Sequence, residues 1–181
     1  LTMHAKTPPA AALESTVAAD EDGVRRWNGD LDAAGLRFAI VVSRFNAPLT
    51  SVLCRTAIVR LRQRGVAAAD IEVFQVPGAF EIPFVVEQVA ARRPFDAILA
   101  LGCVIQGETP HAGLINTTVA AALSEIARRH GVPVIDTVVP ALNEAQAAAR
   151  CTEGENGRGW YAADTAVEMA RLAKILRETT P

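Results

Sequence analysis

Short apolar runs alternate with longer segments of helical period from Leu36 to the end of the chain. Four of the runs are rich in β-branched residues and apolar at successive positions, as expected of strands that are buried on both faces. These predicted strands are RFAIVVS (37–43), IEVFQV (71–76), DAILALGCVI (96–105) and VPVIDTVV (132–139). The predicted helices are 47–65, 79–92, 110–130, 143–151 and 157–178.

The order of these elements predicts the fold class. Strands that alternate with helices pair in parallel through right-handed crossovers, which gives an α/β three-layer sandwich with a four-stranded sheet and helices on both faces. Ligands of such proteins bind beside the carboxyl ends of the strands. The loops at those ends read SRFN (43–46), VPGAFEIP (76–83), GCVIQGETPH (102–111) and PALN (140–143).

The first residues differ from the rest of the chain. Residues 1–23 are rich in Ala, Pro, Thr and acids without a sustained apolar period, so we expect a mobile N-terminal extension. The remaining residues, 24–181, have the length and apolar content of a single domain with one sizeable core.

Composition removes several classes of function. The formal net charge is −2 with both signs interspersed, so no basic face is available for nucleic acid. No apolar run has the length of a membrane span, and the first residues lack the basic patch and apolar stretch that are typical of a secretory signal. The 3 cysteines form no CxxC pair and have no histidine cluster at metal-ligand spacing, which favours a reduced, cytoplasmic protein.

The segment GETPH at the predicted start of the third helix is the first candidate for chemistry. Thr109 is a suitable N-cap and Pro110 a suitable first helical residue, so His111 would lie in the first turn, beside free backbone N–H groups that can bind phosphate. Glu108 could contribute only its N–H to an anion. Histidine transfers protons well near neutral pH, although His111 could equally be an exposed residue without function.

Other candidates allow two interpretations each. Phe45 could stack on a flat heterocycle or cover the core. Glu81 is a carboxylate in an apolar segment and needs hydrogen-bond donors, whereas Cys103 is better explained as a small buried residue than as a nucleophile. Arg150 and Arg158 could bind a phosphate through their forked donors or could simply be solvated.

The motifs SRFN, VPGAFEIP and GCVIQGETPH, at these distances and in this order, closely resemble the lumazine synthase family, as does the weaker segment RGWYAADTAVEMARL (158–172). The resemblance covers about residues 25–178. It implies a flavodoxin-like sheet and a transferase that needs no cofactor or metal. The implied reaction joins 5-amino-6-(D-ribitylamino)uracil to 3,4-dihydroxy-2-butanone 4-phosphate, giving 6,7-dimethyl-8-ribityllumazine in the penultimate step of riboflavin biosynthesis.

The resemblance also implies an assembly and a set of site residues. The chain would form homopentamers or icosahedral shells of pentamers, with active sites at subunit interfaces and VRRWNGDL (24–31) as a strand added to a neighbour's sheet. His111 would transfer protons. The residues that hold the pyrimidine and its ribityl chain would be Phe45, Ala79, Phe80, Glu81, Cys103, Val104 and Ile105. Those that hold the phosphate would be Glu108, Thr109 and Arg150.

The sequence departs from the family pattern at three places. The stretch after His111 is AGLINTT instead of an aromatic and acidic one, Asp136 occupies the place of an aromatic that a neighbour adds to the pyrimidine site, and Gly154 replaces a frequent lysine. Asp136 and the altered stretch after His111 support an alternative: a catalytically weak paralogue that binds lumazine or a flavin, or acts mainly as a shell-forming subunit.

Overall fold

The computed structural model describes residues 23–92 and 94–179, so the predicted extension, apart from Gly23, lies outside the described residues. The strands are Phe38–Ser43 (β1), Ile71–Val76 (β2), Ala97–Ile105 (β3) and Val134–Ala141 (β4). The helices are Ala47–Gln63 (α1), Ile82–Arg92 (α2), His111–His130 (α3), Glu144–Arg150 (α4) and Arg158–Thr179 (α5), with short 3₁₀ turns at Ala68–Asp70 and Ala79–Glu81. All four predicted strands are present, each with ends within 2 residues of the prediction.

The four strands form one parallel sheet in the order β2-β1-β3-β4. The predicted α/β sandwich with a flavodoxin-like sheet is therefore confirmed. The expectation that all four strands are buried on both faces is wrong for the outer two: β1 is buried throughout, whereas β2 and β4 contain exposed positions such as Val73. Each outer strand pairs on one side only among the described residues, and this leaves part of its surface to solvent.

Helices cover both faces of the sheet and enclose two apolar clusters. Side chains of α1 and α5 pack on one face and those of α2 and α3 on the other. The α1–α5 contact is close because α5 presents small residues, and at Gly159 an added Cβ would collide with the carbonyl of Leu53. Among the described residues, no helix combines the length and the apolar character that a membrane span requires.

The segment before β1 packs against the chain's own last helix. A Cβ at Gly29 would collide with the backbone of Glu168, and Asp30 forms an ion pair of 3.3 Å with Arg171 of α5. Within the described part of residues 24–31, only an isolated bridge at Arg25 has β character. The addition of this segment to a neighbouring sheet stays a prediction.

Candidate active site

A pocket of about 420 Å³ opens beside the carboxyl ends of β1, β2 and β3. We call it the His111 pocket. Nine of the eleven site residues predicted from the sequence line it, namely Phe45, Ala79, Phe80, Glu81, Cys103, Val104, Ile105, Thr109 and His111. The other lining residues are Gly78, Gly107, Ala112 and Ile115. The loops that the sequence placed at strand ends thus meet in one cavity.

The turn between β1 and α1 holds an aromatic ring at the mouth of the pocket. The backbone N–H of Phe45 donates to the carbonyl of Pro77 at 3.0 Å and to the Ser43 hydroxyl at 3.2 Å, and the Phe45 side chain is 69% exposed. The alternative that Phe45 covers the core is therefore wrong. Asn46 adopts a left-handed conformation with φ 59, and its Nδ2 donates to the carbonyl of Cys103 at 2.9 Å, which ties this turn to β3.

The turn between β2 and α2 supplies a second aromatic ring and a carboxylate. Phe80 is 59% exposed, whereas its neighbour in the chain, Ala79, is buried. A Cβ at Gly78 would lie 2.9 Å from Oε2 of Glu81, so glycine leaves room for this carboxylate. No hydrogen-bond partner for the Glu81 side chain occurs among the described residues. The carboxylate can therefore accept hydrogen bonds from a ligand's hydroxyl groups.

The end of β3 forms the floor of the pocket. Cys103 and Ile105 pack into the cluster on the α1–α5 side of the sheet, and Val104 into the one on the α2–α3 side. Cys103 is only 2% exposed, which confirms that it is a small buried residue. It pairs with Val139 of β4, so the sheet fixes its backbone.

The start of α3 differs by one residue from the prediction. The helix begins at His111 with Pro110 as its cap, and no side chain forms a cap hydrogen bond, so the expected N-cap role of Thr109 is wrong. The carbonyl of Thr109 is instead held by Nε2 of Gln106 at 2.7 Å, which also donates to the carbonyl of Gly107 at 2.8 Å. Sequence reasoning missed Gln106, although an amide with two donors beside a glycine loop was the available signal.

This arrangement leaves backbone donors free at the start of a long helix. Among the described residues, the N–H groups of Glu108, Thr109, His111 and Ala112 have no hydrogen-bond acceptor. Free N–H groups and the helix dipole together form an anion site. The exposed imidazole of His111 stands beside them and has no partner among the described residues. The start of α3 can therefore bind an anion, and His111 can exchange protons with a neighbouring ligand.

Two predicted site residues do not line the His111 pocket. Glu108 lies exposed in the adjoining loop. Arg150 ends α4, where its Nη1 donates to the carbonyl of Gln146 at 3.3 Å. Together with Arg158 it lines a separate groove of about 450 Å³ along β4 and α5, which we call the β4 groove. Arg150 also lines a third cavity with Val104 and Ala112, two residues that it shares with the His111 pocket, but His111 itself does not line that cavity.

Two of the sequence departures have a local explanation. Asp136 lies exposed on β4 and lines the β4 groove, with its Oδ1 accepting the N–H of Val138 at 3.0 Å. Gly154 has φ 74 in the turn between α4 and α5. A lysine there would be strained, because side chains disfavour this left-handed conformation.

Fold and pocket together define an α/β protein with a metabolite-sized site at the carboxyl ends of its strands. The site contains aromatic rings, a carboxylate, an imidazole and backbone N–H groups without an acceptor among the described residues. The model of the 6,7-dimethyl-8-ribityllumazine synthase family matches residues 35–174. The chain belongs to this family, which confirms the resemblance noted in its motifs.

Curated relatives match this chain over almost their whole length. The 6,7-dimethyl-8-ribityllumazine synthase of Pyrococcus furiosus is 43% identical over 155 residues, which are 86% of this chain and 96% of the relative. The enzyme of that name from Paraburkholderia phymatum is 42% identical over 86% of this chain and 88% of its own. That from Leptothrix cholodnii is 42% identical over 81% and 93%.

Proposed function

We propose that this chain condenses 5-amino-6-(D-ribitylamino)uracil with 3,4-dihydroxy-2-butanone 4-phosphate to 6,7-dimethyl-8-ribityllumazine, as a transferase of riboflavin biosynthesis. The observation that carries the proposal is the convergence of nine predicted site residues on one pocket in a chain of this family. The pocket has the size of a small-molecule site.

The pyrimidine binds across the floor and mouth of the His111 pocket. The exposed ring of Phe45 stacks on the heterocycle, and the backbone of Cys103, Val104 and Ile105 contacts its edge. The Glu81 carboxylate, which has no hydrogen-bond partner among the described residues, accepts hydrogen bonds from the ribityl hydroxyls. Ala79 and Phe80 lie beside the ribityl chain. Each of these groups makes a contact that its donors, acceptors or apolar surface allow.

The phosphate of the ketone binds at the start of α3. The free N–H groups of Glu108 and Thr109 and the first turn of the helix donate to its oxygens. Gln106 positions this loop by holding two of its carbonyls away from the anion. Arg150 of a neighbouring subunit completes the site, because a forked guanidinium binds phosphate with two charge-assisted hydrogen bonds.

His111 moves protons between the reacting groups. The amine of the pyrimidine attacks the ketone carbonyl, water leaves to form an imine, phosphate is eliminated, and ring closure expels a second water. Each step shifts a proton near the α3 start, where the imidazole stands exposed to the pocket. Holding both substrates together supplies much of the remaining acceleration, and no step requires a redox cofactor.

The proposed assembly follows from the position of Arg150. We propose that residues 24–181 act as one domain in a cytoplasmic homopentamer or an icosahedral shell of pentamers, with each active site between two chains. The β4 edge of the sheet has no partner strand among the described residues, and Arg150 lies on that side. A neighbour whose β4 groove faces the His111 pocket would bring the arginine to the phosphate.

A direct assay tests the activity. Purified protein is mixed with both substrates, and lumazine formation is followed by absorbance and fluorescence against the spontaneous reaction. We expect clear acceleration. A rate equal to the spontaneous one would remove the enzyme proposal and leave the alternative of a weak paralogue, which the intact His111 pocket does not favour.

A further inference from the structure

The third cavity beside Arg150 has a volume of about 430 Å³ and lies between the first turns of α3, the end of β4 and α4. We call it the Asn116 cavity. Apolar residues form much of its lining, and the polar side chains in it are those of Gln106, Asn116, Gln146 and Arg150. A cavity with apolar walls and a few convergent polar groups is the usual form of a small-molecule site.

Arg150 gives the Asn116 cavity its charge. Among the described residues it is the one charged side chain of the lining, and no carboxylate lines the cavity. Its Nη1 is bonded to the carbonyl of Gln146, whereas Nε and Nη2 have no acceptor in the described part of the chain. These two nitrogens form one edge of the guanidinium, and that edge matches the two oxygens of a carboxylate.

Asn116 contributes a buried acceptor that nothing in the described chain satisfies. Its Oδ1 is shielded from solvent and has no hydrogen-bond partner among the described residues. Buried polar side-chain atoms are almost always paired, so an unpaired one calls for a partner outside the chain. An amide oxygen can accept a hydrogen bond from a ligand's hydroxyl group.

The residues around these two groups keep the cavity open. Ala112 and Gly113 lie three and four positions before Asn116 and so share its face of α3, and a Cβ at Gly113 would meet no atom within 4 Å. On the opposite wall, Oε1 of Gln146 accepts the N–H of Leu142 at 3.0 Å. The space is therefore formed before any ligand enters.

We propose that the Asn116 cavity binds a small carboxylate that also carries a hydroxyl group. Arg150 holds the carboxylate through Nε and Nη2, the hydroxyl donates to Oδ1 of Asn116, and the carbon chain lies against Val104 and Ala141. This site is separate from the His111 pocket, and its existence does not depend on the proposed function.

The charge of the cavity favours a carboxylate over a phosphate ester. Arg150 supplies one positive charge, and no second cation of the described chain lines the cavity. A phosphate monoester carries about −1.5 to −2 near pH 7, so part of its charge would stay unpaired in a half-buried place. A carboxylate carries a single charge, which one guanidinium balances.

Calorimetric titration of the intact assembly tests the ligand class. The probes are glycerate, propanoate, which lacks the hydroxyl groups, and glycerol 3-phosphate, which replaces the carboxylate. We expect glycerate to bind about two- to tenfold more tightly than propanoate, because one added hydrogen bond changes affinity by about this factor. Glycerol 3-phosphate should show no binding that depends on Asn116.

Two variants locate the binding. Asn116→Ala should bind glycerate no better than propanoate, because it lacks the amide oxygen. The matched control is Asn156→Ala, since Asn156 is an exposed asparagine that lines a different groove beside Arg150, and this variant should keep the preference. Gly113→Leu should weaken the binding of both carboxylates by filling the cavity, without cost to the helix.

The shared arginine connects the cavity to the proposed function. One edge of a guanidinium cannot hold two anions at once, so a ligand in the Asn116 cavity withdraws Arg150 from a phosphate. If the proposed function holds, glycerate raises the Michaelis constant for the phosphorylated ketone. In Asn116→Ala, about two- to tenfold more glycerate should be needed for the same rise.

Four results would overturn the site: equal binding of glycerate and propanoate, a preference that survives Asn116→Ala, tighter Asn116-dependent binding of glycerol 3-phosphate, or an assembly that Asn116→Ala breaks, which would assign the amide to a contact between chains. Lumazine formation is a separate readout, and Asn116→Ala should retain it. Asn116-dependent binding in a protein that makes no lumazine would sustain the cavity and reject the proposed function. Lumazine formation without such binding would do the opposite.

Discussion

The His111 pocket and the β4 groove are complementary in what each provides. The His111 pocket contains an imidazole, two exposed aromatic rings and free backbone donors, but no arginine or lysine lines it among the described residues. The β4 groove contains Arg150 and Arg158 beside Asp136, and no histidine of the described part of the chain lines it. The first site can bind a planar ring and transfer protons, and the second can neutralise an anion.

Under the proposed function, this difference would leave the site of one chain incomplete. The elements that build the His111 pocket are the turns after β1, β2 and β3, which are consecutive positions at one end of the sheet. Arg150 follows β4, the edge strand, and lies in the β4 groove. The proposed two-chain site resolves this separation, since a symmetric ring places the groove of each chain against the pocket of the next.

The largest effect is expected at His111, the proposed proton-transfer residue of the pocket. We expect His111→Ala to lower kcat by about 100-fold or more, because a positioned acid–base group contributes about 10²- to 10⁴-fold. The Michaelis constants and the assembly should change little, since the imidazole is exposed and packs against nothing that holds the fold. Steady-state kinetics measure kcat and the Michaelis constants, and light scattering measures the size of the assembly.

The matched control is His130, at the opposite end of α3. Its Nε2 lies 2.8 Å from Oε1 of Glu87, in a partly buried pair between α2 and α3. His130→Ala should leave kcat nearly unchanged, because His130 ends the 20-residue α3 and does not line the His111 pocket. Equal slowing by both variants, or an assembly broken by His111→Ala at unchanged specific activity, would contradict the assigned role.

The next largest effect is expected at Arg150 in the β4 groove. Arg150→Ala should raise the Michaelis constant for the phosphorylated ketone by about 10- to 100-fold, because a hydrogen bond to a charged group contributes about 1.5–3 kcal/mol. The constant for the pyrimidine should stay the same. Arg55, a more exposed arginine that pairs with Glu153 at 3.3 Å, provides the control. A similar loss for both substrates in Arg150→Ala would mean that the arginine acts on the fold and not on the phosphate.

Mixed assemblies test whether the two regions meet between chains. Co-expressed His111→Ala and Arg150→Ala chains should recover about a quarter of the wild-type activity at low ketone concentration, because random pairing gives an intact residue of each kind at one interface in four. Each variant alone should stay far below this value. Assemblies of the doubly substituted chain with His111→Ala provide the control and should recover nothing. Absence of recovery in the first mixture would place each site within one chain.

The sequence predicted the pocket side better than the groove side, for a physical reason. Local signals predict the pocket: apolar runs define β1, β2 and β3, and their carboxyl ends bring Phe45, Glu81 and His111 together in a parallel sheet of this order. Hydrogen bonds across a loop carry no periodic signal. The use of Gln106 to hold the carbonyl of Thr109 therefore escaped prediction, and Thr109 was assigned a cap that the structure does not contain.

The location of the β4 groove depends on the order of the strands in the sheet, which apolar patterns do not reveal. A run such as 132–139 indicates a strand but not whether that strand lies at the centre or the edge of the sheet, and β4 proved to be an edge strand with exposed positions. The motif comparison assigned Arg150 to the phosphate but could not say that it lies outside the pocket of its own chain. Only the three-dimensional arrangement separates the two halves.

The smallest expected effect concerns Asp136 on β4, where the resemblance to the family implies an aromatic. Under the two-chain proposal, Asp136 of one chain faces the pyrimidine bound by the next, opposite Phe45. Asp136→Phe should then lower the Michaelis constant for the pyrimidine by about two- to tenfold, since an aromatic pair contributes about 0.5–1.5 kcal/mol beyond its buried area. The constant for the ketone should not change.

A second substitution separates stacking from charge. Asp136→Asn removes the carboxylate charge but keeps an oxygen that can accept the N–H of Val138, which Oδ1 now accepts at 3.0 Å. If Asp136→Asn improves pyrimidine binding as much as Asp136→Phe, the gain comes from loss of the charge and no stacking across the interface need be invoked. If only Asp136→Phe improves it, the aromatic completes a sandwich with Phe45 of the neighbouring chain. No gain from either variant would mean that the β4 groove does not face the pyrimidine, and the two-chain site would then extend to the phosphate alone.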